Sequence, residues 1–424
     1  MAVGRELPDD LIADVVRHLP PHSLAVSRCV CRAWRDLVDA RRLLRADLLP
    51  RSVGGIFMNY RALYSPEFFS RPTTGPSISG DLGFIPGFST VVDHCNGLLL
   101  VTETSDDYVA NPATRRWARL PPRPTSQMGE ACDQIECLVY DPTVSPHYNS
   151  KIDPEMMQSE WPPSSLQVFS SITGCWEERS FALEEGSWDL EERLFVSERG
   201  RMVRIITHTK VYWREALYVL CKNGFVLRLI PSPSDVEFRY HGCLSLGRSE
   251  KGVYCAVEHD WHGLRIFLLN ESCGQVRWEL KHHVDLRSFA RKFLARGDSS
   301  QQHKGPWILQ DINNYKYPYD NEVVEDNFNW SSDDDSVLNT EHMVKGHYDG
   351  YTSFLGFHPY KEIVFLNAAL SRAVAYHWNT SRFQDLGNIF PKNYRDIAGQ
   401  CVDIERSFPY TPCWMEFPEI KLQV

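Results

Sequence analysis

The chain has 424 residues, more than one ordinary domain of roughly 100 to 200 residues, so we expect at least two domains. Its 43% hydrophobic and 24% charged residues are typical of a folded protein and exclude a disordered chain. The net charge of -10 argues against nonspecific binding to nucleic acid or to an anionic membrane, because both need concentrated positive charge.

The first ten residues carry three acids and no apolar core of a secretory leader, so we expect none. The longest apolar runs, such as Leu98 to Val101, are far shorter than the roughly 20 residues that cross a bilayer. The 12 cysteines are scattered and lack the density of a disulfide framework. Reduced thiols and residence in the cytoplasm, the nucleus or both are the expectation.

A change of composition near residue 50 divides the chain. Trp34 is the only aromatic residue before that point, and the other 50 aromatic residues follow it. The first 50 residues carry a net charge of +1, and the remainder carries -11. We therefore predict a small domain at 1–50 and a large domain at 51–424.

Apolar spacing in the small domain predicts three short helices. The first has a stripe at i, i+1, i+4, i+5 and i+8 that begins at Leu11, and Pro8 suits its N-terminus. Pro20 and the proline after it end this helix, and Ser23 is placed to cap a second. The third helix follows from Val30, Trp34 and Leu37 at i, i+4 and i+7.

Three stretches of this domain, Leu7 to Ile12, Leu19 to Leu24 and Val30 to Leu37, together closely resemble the F-box motif. The resemblance implies docking on a Skp-type adaptor, which joins a cullin and a RING protein into an SCF ubiquitin ligase. The positions that match adaptor-contacting or motif-packing residues are Leu7, Pro8, Leu11, Ile12, Leu19, Pro20, Leu24, Val30 and Trp34. The alternative is a helical cap folded onto the large domain, which periodicity alone does not exclude.

The large domain changes to short apolar runs separated by Gly, Pro, Asn and Asp, which is typical of many short strands joined by tight turns. Several runs pair as hairpins. The predicted strands are 97–102, 166–169, 216–220, 225–230, 252–257, 264–269, 363–366 and 373–376.

A weak internal repeat links these strands. Turns containing Thr114, Thr173, Cys273 and Thr380 each precede an aromatic residue, and they lie 59, 100 and 107 residues apart. Separations of one, two and two units of about 50 residues match the period of propeller blades. The prediction is a β-propeller of six to eight blades in which each aromatic residue packs against a neighbouring blade, with a β-sandwich pair as the alternative.

The segment from Cys95 to Leu100, together with Asn111 to Trp117, resembles the F-box-associated region found in many plant F-box proteins. The expected fold is therefore mainly β with a small all-α N-terminal domain: a three-helix F-box followed by a kelch-like propeller.

Motifs for catalysis and for metal binding are missing from the sequence. It contains no CxxC pair, HExxH helix, GxGxxG, Walker A or GxSxG pattern, so we predict no catalytic residue, no metal and no cofactor. The most catalytic-looking cluster, Glu258 to His262, lies between two predicted strands and is expected to be a polar turn. The acid-rich segment 320–335 is interpreted as an exposed loop, with contact to a basic partner as the alternative.

The expected function is substrate recognition within an SCF-type ubiquitin ligase, with the propeller binding an unknown target protein through its loops. Two alternatives stay open. One is a binding module in a non-degradative complex, and the other is an enzyme whose residues lie far apart on the propeller.

Overall fold

The computed structural model of the chain describes residues 8–19, 23–24, 27, 30–41, 43, 52–71, 78–87, 90–103, 106–122, 135–142, 147–153, 165–180, 210–213, 216–219, 243–249, 251–259, 262–271, 277–287, 289, 305–316, 352–368, 372–399, 402–415 and 417. Two of the expected features, the strand at 225–230 and the acidic segment at 320–335, lie outside the described residues.

The helices among the described residues are few and short. They are α1 (Asp9–Val16), α2 (Arg32–Ala40), α3 (Ile312–Lys316) and α4 (Tyr394–Ala398). None of the described helices has the length and apolar character needed to cross a membrane.

Strands make up most of the described chain. In chain order they are β1 (Gly55–Tyr60), β2 (Glu67–Ser70), β3 (Thr90–Cys95), β4 (Leu98–Glu103), β5 (Asp106–Asn111), β6 (Arg116–Arg119), β7 (Ile135–Tyr140), β8 (Tyr148–Asp153), β9 (Ser165–Ser170), β10 (Cys175–Ser180), β11 (Lys210–Trp213), β12 (Ala216–Val219), β13 (Cys243–Ser249), β14 (Gly252–His259), β15 (Gly263–Asn270), β16 (Arg277–Asp285), β17 (Ile308–Leu309), β18 (Thr352–Phe357), β19 (Ile363–Ala368), β20 (Arg372–His377), β21 (Arg382–Asn388) and β22 (Ile404–Tyr410).

The strands form antiparallel sheets arranged as a propeller. Four sheets use four consecutive strands each, β3 to β6, β7 to β10, β13 to β16 and β18 to β21, and a two-stranded sheet joins β11 and β12. A further four-stranded sheet, the closing sheet, has the order β17, β2, β1, β22. One strand of each sheet contacts the next in the order β3, β7, β11, β13, β18, β22 and back to β3. The fold is therefore mainly β, as predicted, with its sheets around a ring.

The expected count of six to eight blades is wrong for the described residues, which contain five four-stranded sheets and one two-stranded sheet. Dividing the chain length by a blade period of about 50 residues gives more blades than there are four-stranded sheets in the described residues. The first strands of neighbouring sheets begin 45 residues apart at Thr90 and Ile135, but 109 apart at Cys243 and Thr352. Part of the segment between these two strands forms β17 and α3, which belong to neither of the two sheets. β17 pairs instead with β2 in the closing sheet.

The closing sheet joins the two ends of the ring. β22 pairs with β1 from Gly55 opposite Tyr410 to Tyr60 opposite Ile404. The fully buried ring of Phe57 lies 5.4 Å from that of Tyr410, edge to face. Because edge-to-face rings add to the stabilisation from burial, this contact favours the registered pairing.

Hydrophobic clusters lie between neighbouring sheets. One cluster joins the closing sheet to the β3–β6 sheet through residues such as Phe68 and Leu99. Another joins the closing sheet to the β18–β21 sheet, and a third joins β13–β16 to β18–β21. These four-stranded sheets therefore bury apolar faces against their neighbours, which a blade needs because it cannot bury both faces alone.

Three of the four repeated turns share a backbone geometry, and the turn that contains Cys273 lies outside the described residues. Arg115, Gly174 and Ser381 each stand two residues before the aromatic residue and have positive φ angles of 54°, 70° and 54°. The aromatic residue then lies on the fourth strand of its sheet. Trp176 donates a hydrogen bond of 3.1 Å from Nε1 to the Pro121 carbonyl, which follows β6 in the preceding sheet.

Phe383 occupies the same position of the repeat in the β18–β21 sheet. Its ring stacks at 4.1 Å on Phe289, which follows β16 of the preceding sheet. The two aromatic residues therefore each contact the segment that leaves the sheet before their own.

The predicted set of three helices in the small domain is not confirmed. α1 and α2 are formed, and Ser23, Leu24 and Ser27 are helical, but the residues between them lie outside the described part of the chain. Ser27 donates a hydrogen bond of 2.6 Å from Oγ to the Leu24 carbonyl. Pro8 directly precedes α1, as expected, and its carbonyl accepts a hydrogen bond from the Leu11 amide at 2.9 Å.

The asparagine of the Asn111-to-Trp117 segment fixes the residues that follow β22. Asn111 Nδ2 donates to the Cys413 carbonyl at 2.8 Å. Its Oδ1 accepts from the amide of Ala113 at 3.1 Å, which shapes the turn after β5. Asn111 is buried, so each of these bonds is shielded from water.

We expect Asn111→Ala to lower the free energy of unfolding by about 2 kcal/mol, because the buried Cys413 carbonyl loses its donor and the turn loses its acceptor. Denaturant unfolding measures the change. The control is Asn379→Ala at an exposed asparagine of another repeat turn. Its hydrogen bond to Glu362 is open to water, so the expected change is within about 0.5 kcal/mol. Equal effects of the two substitutions would contradict this role of Asn111.

Candidate functional site

The helical domain has a small core. Leu24 is completely buried, and Ile12, Leu19, Trp34 and Leu37 pack partly buried around it; the buried members of this core are Ala13, Val16, Leu24, Val38 and Leu43. Since all of them lie within the helical domain, its described helices pack mainly on one another.

Among the described residues of this domain, three large apolar side chains remain in solvent. Leu11 is 52% exposed, Val15 is 68% exposed and Val30 is 65% exposed. Leu11 and Val15 stand at i and i+4 on α1, so they lie on one face of that helix. We call these three residues the exposed apolar set. The apolar stripe predicted for α1 divides accordingly: Val16 is buried and Ile12 and Leu19 are partly buried, but Leu11 and Val15 are exposed. Ala13, which lies outside the stripe, is buried.

The structure separates the nine predicted site residues by burial. Leu24 is in the core, Ile12, Leu19 and Trp34 are partly buried against it, and Pro8, Leu11 and Val30 are exposed. Leu7 and Pro20 lie outside the described residues. Buried and exposed members of the predicted set therefore alternate along the same short helices.

Charged side chains tie the ends of the helical domain together. Arg41, just after α2, pairs with Asp10 in the first turn of α1. Within helices, Arg17 lies 3.4 Å from Asp14, and Arg32 lies 3.9 Å from Asp36. These exposed pairs contribute little stability each, so the burial of the small core carries most of the packing energy.

The ring centre carries a polar group of residues that sequence reasoning missed. Lys210 Nζ on β11 lies 3.3 Å from Asp93 Oδ2 on β3, and both side chains are largely buried. Arg248 on β13 contacts Asn96 Oδ1 in the turn after β3. The one available signal was a charged residue inside an otherwise apolar strand, as at Asp93. The partners come from strands far apart in sequence.

A cleft of about 640 Å³ opens beside the closing sheet. It is formed by the turn between β1 and β2, by α3 and by the beginning of α4. Its lining includes the exposed side chains of Tyr64 and Ile397, together with Asn313, Lys392 and Asp396. Buried Glu67 supports this wall, because its carboxylate accepts a hydrogen bond of 3.0 Å from the Asn313 amide at the start of α3.

Glu258 belongs to the cluster that was singled out as catalytic-looking, of which residues 260 and 261 lie outside the described part of the chain. Burial raises its pKa to about 8, although the Phe354 amide donates a hydrogen bond to it. The neighbouring His259 ring packs 5.5 Å from that of His283. Within the described part of the chain, no group of three His, Cys, Asp or Glu residues has the geometry of a metal site.

Comparison with known proteins identifies the helical segment. Residues 5–46 match the family model described as "F-box domain". A stretch of 63 residues is 48% identical to F-box only protein 17 of Rattus norvegicus, covering 14% of this chain and 23% of that protein.

Relatives that extend into the propeller come from a plant. A putative F-box/kelch-repeat protein of Arabidopsis thaliana is 22% identical over 312 residues, 67% of this chain and 73% of that protein. A putative F-box protein of the same plant is 26% identical over 232 residues, 52% of this chain and 58% of that protein. Two further putative F-box proteins of that plant are 32% and 31% identical, and the chain spans about a third of each.

The chain therefore carries an F-box domain at its N-terminal end, joined to a propeller-type arrangement of β-sheets. Its homologues include a plant F-box/kelch-repeat protein and a plant F-box protein that each match half of the chain or more.

We expect Glu258→Gln to stabilise the protein increasingly as the pH rises from 4.5 to about 8. The folded-state pKa of Glu258 is raised, so the stability it contributes is greatest below pH 4.5 and is lost as the pH rises through about 8. Glutamine has no charge to bury. Thermal unfolding between pH 4.5 and 8 measures the difference, with Glu405→Gln at an exposed position as the control; parallel profiles of parent and Glu258→Gln would disprove the burial argument.

Proposed function

We propose that this chain is the substrate-recognition subunit of an SCF-type cullin-RING ubiquitin ligase. The observation that carries the proposal is the F-box match at 5–46, in a domain that leaves Leu11, Val15 and Val30 exposed. A domain with five buried core side chains gains little from exposing three large apolar ones, unless another surface covers them. A Skp-type adaptor is the partner that an F-box implies.

The nine predicted contact positions divide into two roles in this proposal. Leu11 and Val30, joined by Val15, contact the adaptor directly because they are exposed. Leu24 orients them by holding the helices together, since it is completely buried. Ile12, Leu19 and Trp34 pack against the helical core and also contact the adaptor. Leu7, Pro8 and Pro20 are proposed as contacts from the resemblance to the F-box motif.

The propeller domain binds the target protein in this proposal. The adaptor, the cullin and the RING protein then hold the bound target near the ubiquitin-charged enzyme. Proximity raises the effective concentration of a target lysine, so the chain needs no catalytic residue, metal or cofactor of its own. The F-box domain and the propeller act together in the cytoplasm, in the nucleus or in both compartments.

We expect Leu11→Asp and Val30→Asp each to reduce capture of a Skp-type adaptor by the full chain by at least about tenfold. A charge introduced into a desolvated apolar contact is costly, whereas the exposed positions leave the helical core intact. Quantitative pull-down of adaptor and cullin measures the loss.

The matched control is Ile172→Asp, which changes an aliphatic side chain of similar exposure, 64%, in a propeller turn. This variant should bind the adaptor as the parent does. Undiminished capture by both Leu11→Asp and Val30→Asp would refute the docking role of the exposed apolar set.

The ligase function itself makes a separate prediction. Partners captured through the propeller should gain ubiquitin in cells that express the parent chain, and this gain should disappear with Leu11→Asp. Mass spectrometry of the captured partners after proteasome inhibition provides the measurement. Partners that bind stably without ever gaining ubiquitin would instead support a non-degradative complex.

A further inference from the structure

The cleft beside the closing sheet has walls from three separate parts of the chain. They are the turn between β1 and β2, the beginning of α3, and α4 with the residues just before it. Its volume of about 640 Å³ lies within the roughly 300 to 1,000 Å³ typical of binding pockets. The exposed side chains of Tyr64 and Ile397 give two of the walls an apolar lining. The cleft therefore has the size and the apolar surface of a ligand site.

Hydrogen bonds fix the three walls relative to one another. Buried Asn313 of α3 donates from Nδ2 to the Ser65 carbonyl at 2.9 Å and to Glu67 Oε1 at 2.6 Å, which joins α3 to the turn between β1 and β2. The Lys392 amide donates to Asp311 Oδ1 at 3.1 Å, which joins the α4 wall to the α3 wall. Because the walls are held in place before a ligand arrives, binding loses little free energy to ordering the cleft.

The three walls also share an uncommon backbone conformation. Ala62, Asp311 and Asn393, one in or beside each wall, have φ angles of 65°, 53° and 56°. The other described non-glycine residues with positive φ lie in the tight turns that follow β3, β5 and β20. Backbone strain of this kind persists only where packing holds it, and it concentrates at functional sites. This strain distinguishes the cleft from the rest of the propeller surface.

The lining includes one cation and one anion, in different surroundings. Burial raises the pKa of Asp311, and the positive charge of Lys392 opposes this shift, so Asp311 is the counter-charge of Lys392. Asp396 is exposed in the first turn of α4 and forms no ion pair with another described residue. One carboxylate of the cleft is therefore left for a partner.

Two arginines beside the cleft contact other groups. Arg61 Nε lies 3.3 Å from Glu405 Oε1, and Arg395 lies over the ring of Phe390, 5.8 Å from its centroid. At longer range, the net charge of -11 on residues 51–424 also favours the approach of a positive segment. The charge of the cleft therefore complements a cationic partner.

Two side-chain amides also line the cleft. Asn393 Nδ2 donates to Asn314 Oδ1 at 3.4 Å, so the amide before α4 meets the amide of α3. The remaining donor of this pair, on Asn314, and its remaining acceptor, on Asn393, have no partner in the described part of the chain. A donor beside an acceptor matches the C=O and N–H groups of an extended peptide.

We propose that the cleft binds a short extended segment of the target protein, whose apolar side chain packs against Tyr64 and Ile397 and whose neighbouring lysine or arginine pairs with Asp396. The proposal rests on the proposed function in one respect: the segment belongs to the target. β1 begins at Gly55, where the chain arrives from the F-box domain, and ends at Tyr60 beside the cleft. The bound segment therefore lies at the other end of β1, roughly 20 Å from that connection.

A peptide selection on the full chain tests the proposal. Randomised hexapeptides displayed on phage are selected on the parent, and the enriched sequences are synthesised with blocked ends and a fluorescent label. We expect these sequences to place a large apolar residue next to lysine or arginine. Fluorescence anisotropy should show that Ile397→Asp binds the selected peptide at least about tenfold more weakly, because it introduces a charge into the apolar contact. Enrichment of acidic sequences, or no enrichment, would overturn the proposal.

A charge reversal tests the role of Asp396. Asp396→Lys should weaken the selected peptide by at least about threefold, and it should prefer the same peptide with glutamate in place of its cationic residue. The matched control is Asp9→Lys, which changes an exposed carboxylate in the first turn of α1 and should bind as the parent does. Equal weakening by both substitutions would contradict a contact at Asp396.

Two more variants complete the test. Ile172→Asp, in a propeller turn, is the control for Ile397→Asp and should leave peptide binding unchanged. Tyr64→Ala removes the ring from the turn between β1 and β2, so it serves if Ile397→Asp does not fold, and it should weaken binding by at least about fivefold. Binding by Tyr64→Ala equal to that of the parent would refute the apolar contact.

The outcome is distinguishable from a failure of the proposed function. Leu11 lies on α1 and Ile397 on α4, so capture of the adaptor and binding of the peptide are measured on separate surfaces. A chain that captures the adaptor but selects no such peptide keeps its ligase role and loses only this site. A chain that binds the peptide but not the adaptor keeps the site and loses the ligase role.

Discussion

The pairing of β22 with β1 is the constraint on which the propeller depends. These strands are separated by more than 340 residues, yet they pair along most of their length in the closing sheet. The entropy of closing a long loop grows only slowly with its length, whereas closure lets the closing sheet bury both faces against its neighbours. Without this pairing, the two hydrophobic clusters that flank the closing sheet would lose the side chains that this sheet contributes to them.

Closure also positions the residues that follow β22. Gly97 has a φ of 89°, and a Cβ added there would lie 2.4 Å from the Cβ of Cys413. Only glycine permits this close approach of the two backbones. The same segment accepts the hydrogen bond from Asn111, so the turn after β3 and the turn after β5 are both fixed by the end of the chain. Asn96, next to Gly97, is thereby held where Arg248 contacts it.

The two parts of the chain use apolar surface differently. In the propeller many large aromatic side chains are fully buried, as Phe57, Phe169 and Tyr254 are, although Tyr64 and Trp117 are exposed. Polar groups at its centre contact one another. The helical domain instead leaves a substantial fraction of its apolar surface in solvent. A domain of this size buries too little surface to be very stable by itself, which is consistent with a role that is completed by a partner.

The sequence by itself determined the elements whose signals are local. Proline before α1, the i and i+4 spacing, the turns before Trp117, Trp176 and Phe383, and the alternation of short apolar runs each follow from backbone geometry within a few residues. The tertiary structure alone decided which strands make up the closing sheet, because β17 joins β2 across some 240 residues. It also decided that Leu11 is exposed while Leu24 is buried, and that Arg248 meets Asn96. These outcomes depend on which distant strands and helices pack together, and a periodic pattern carries no information about its partner.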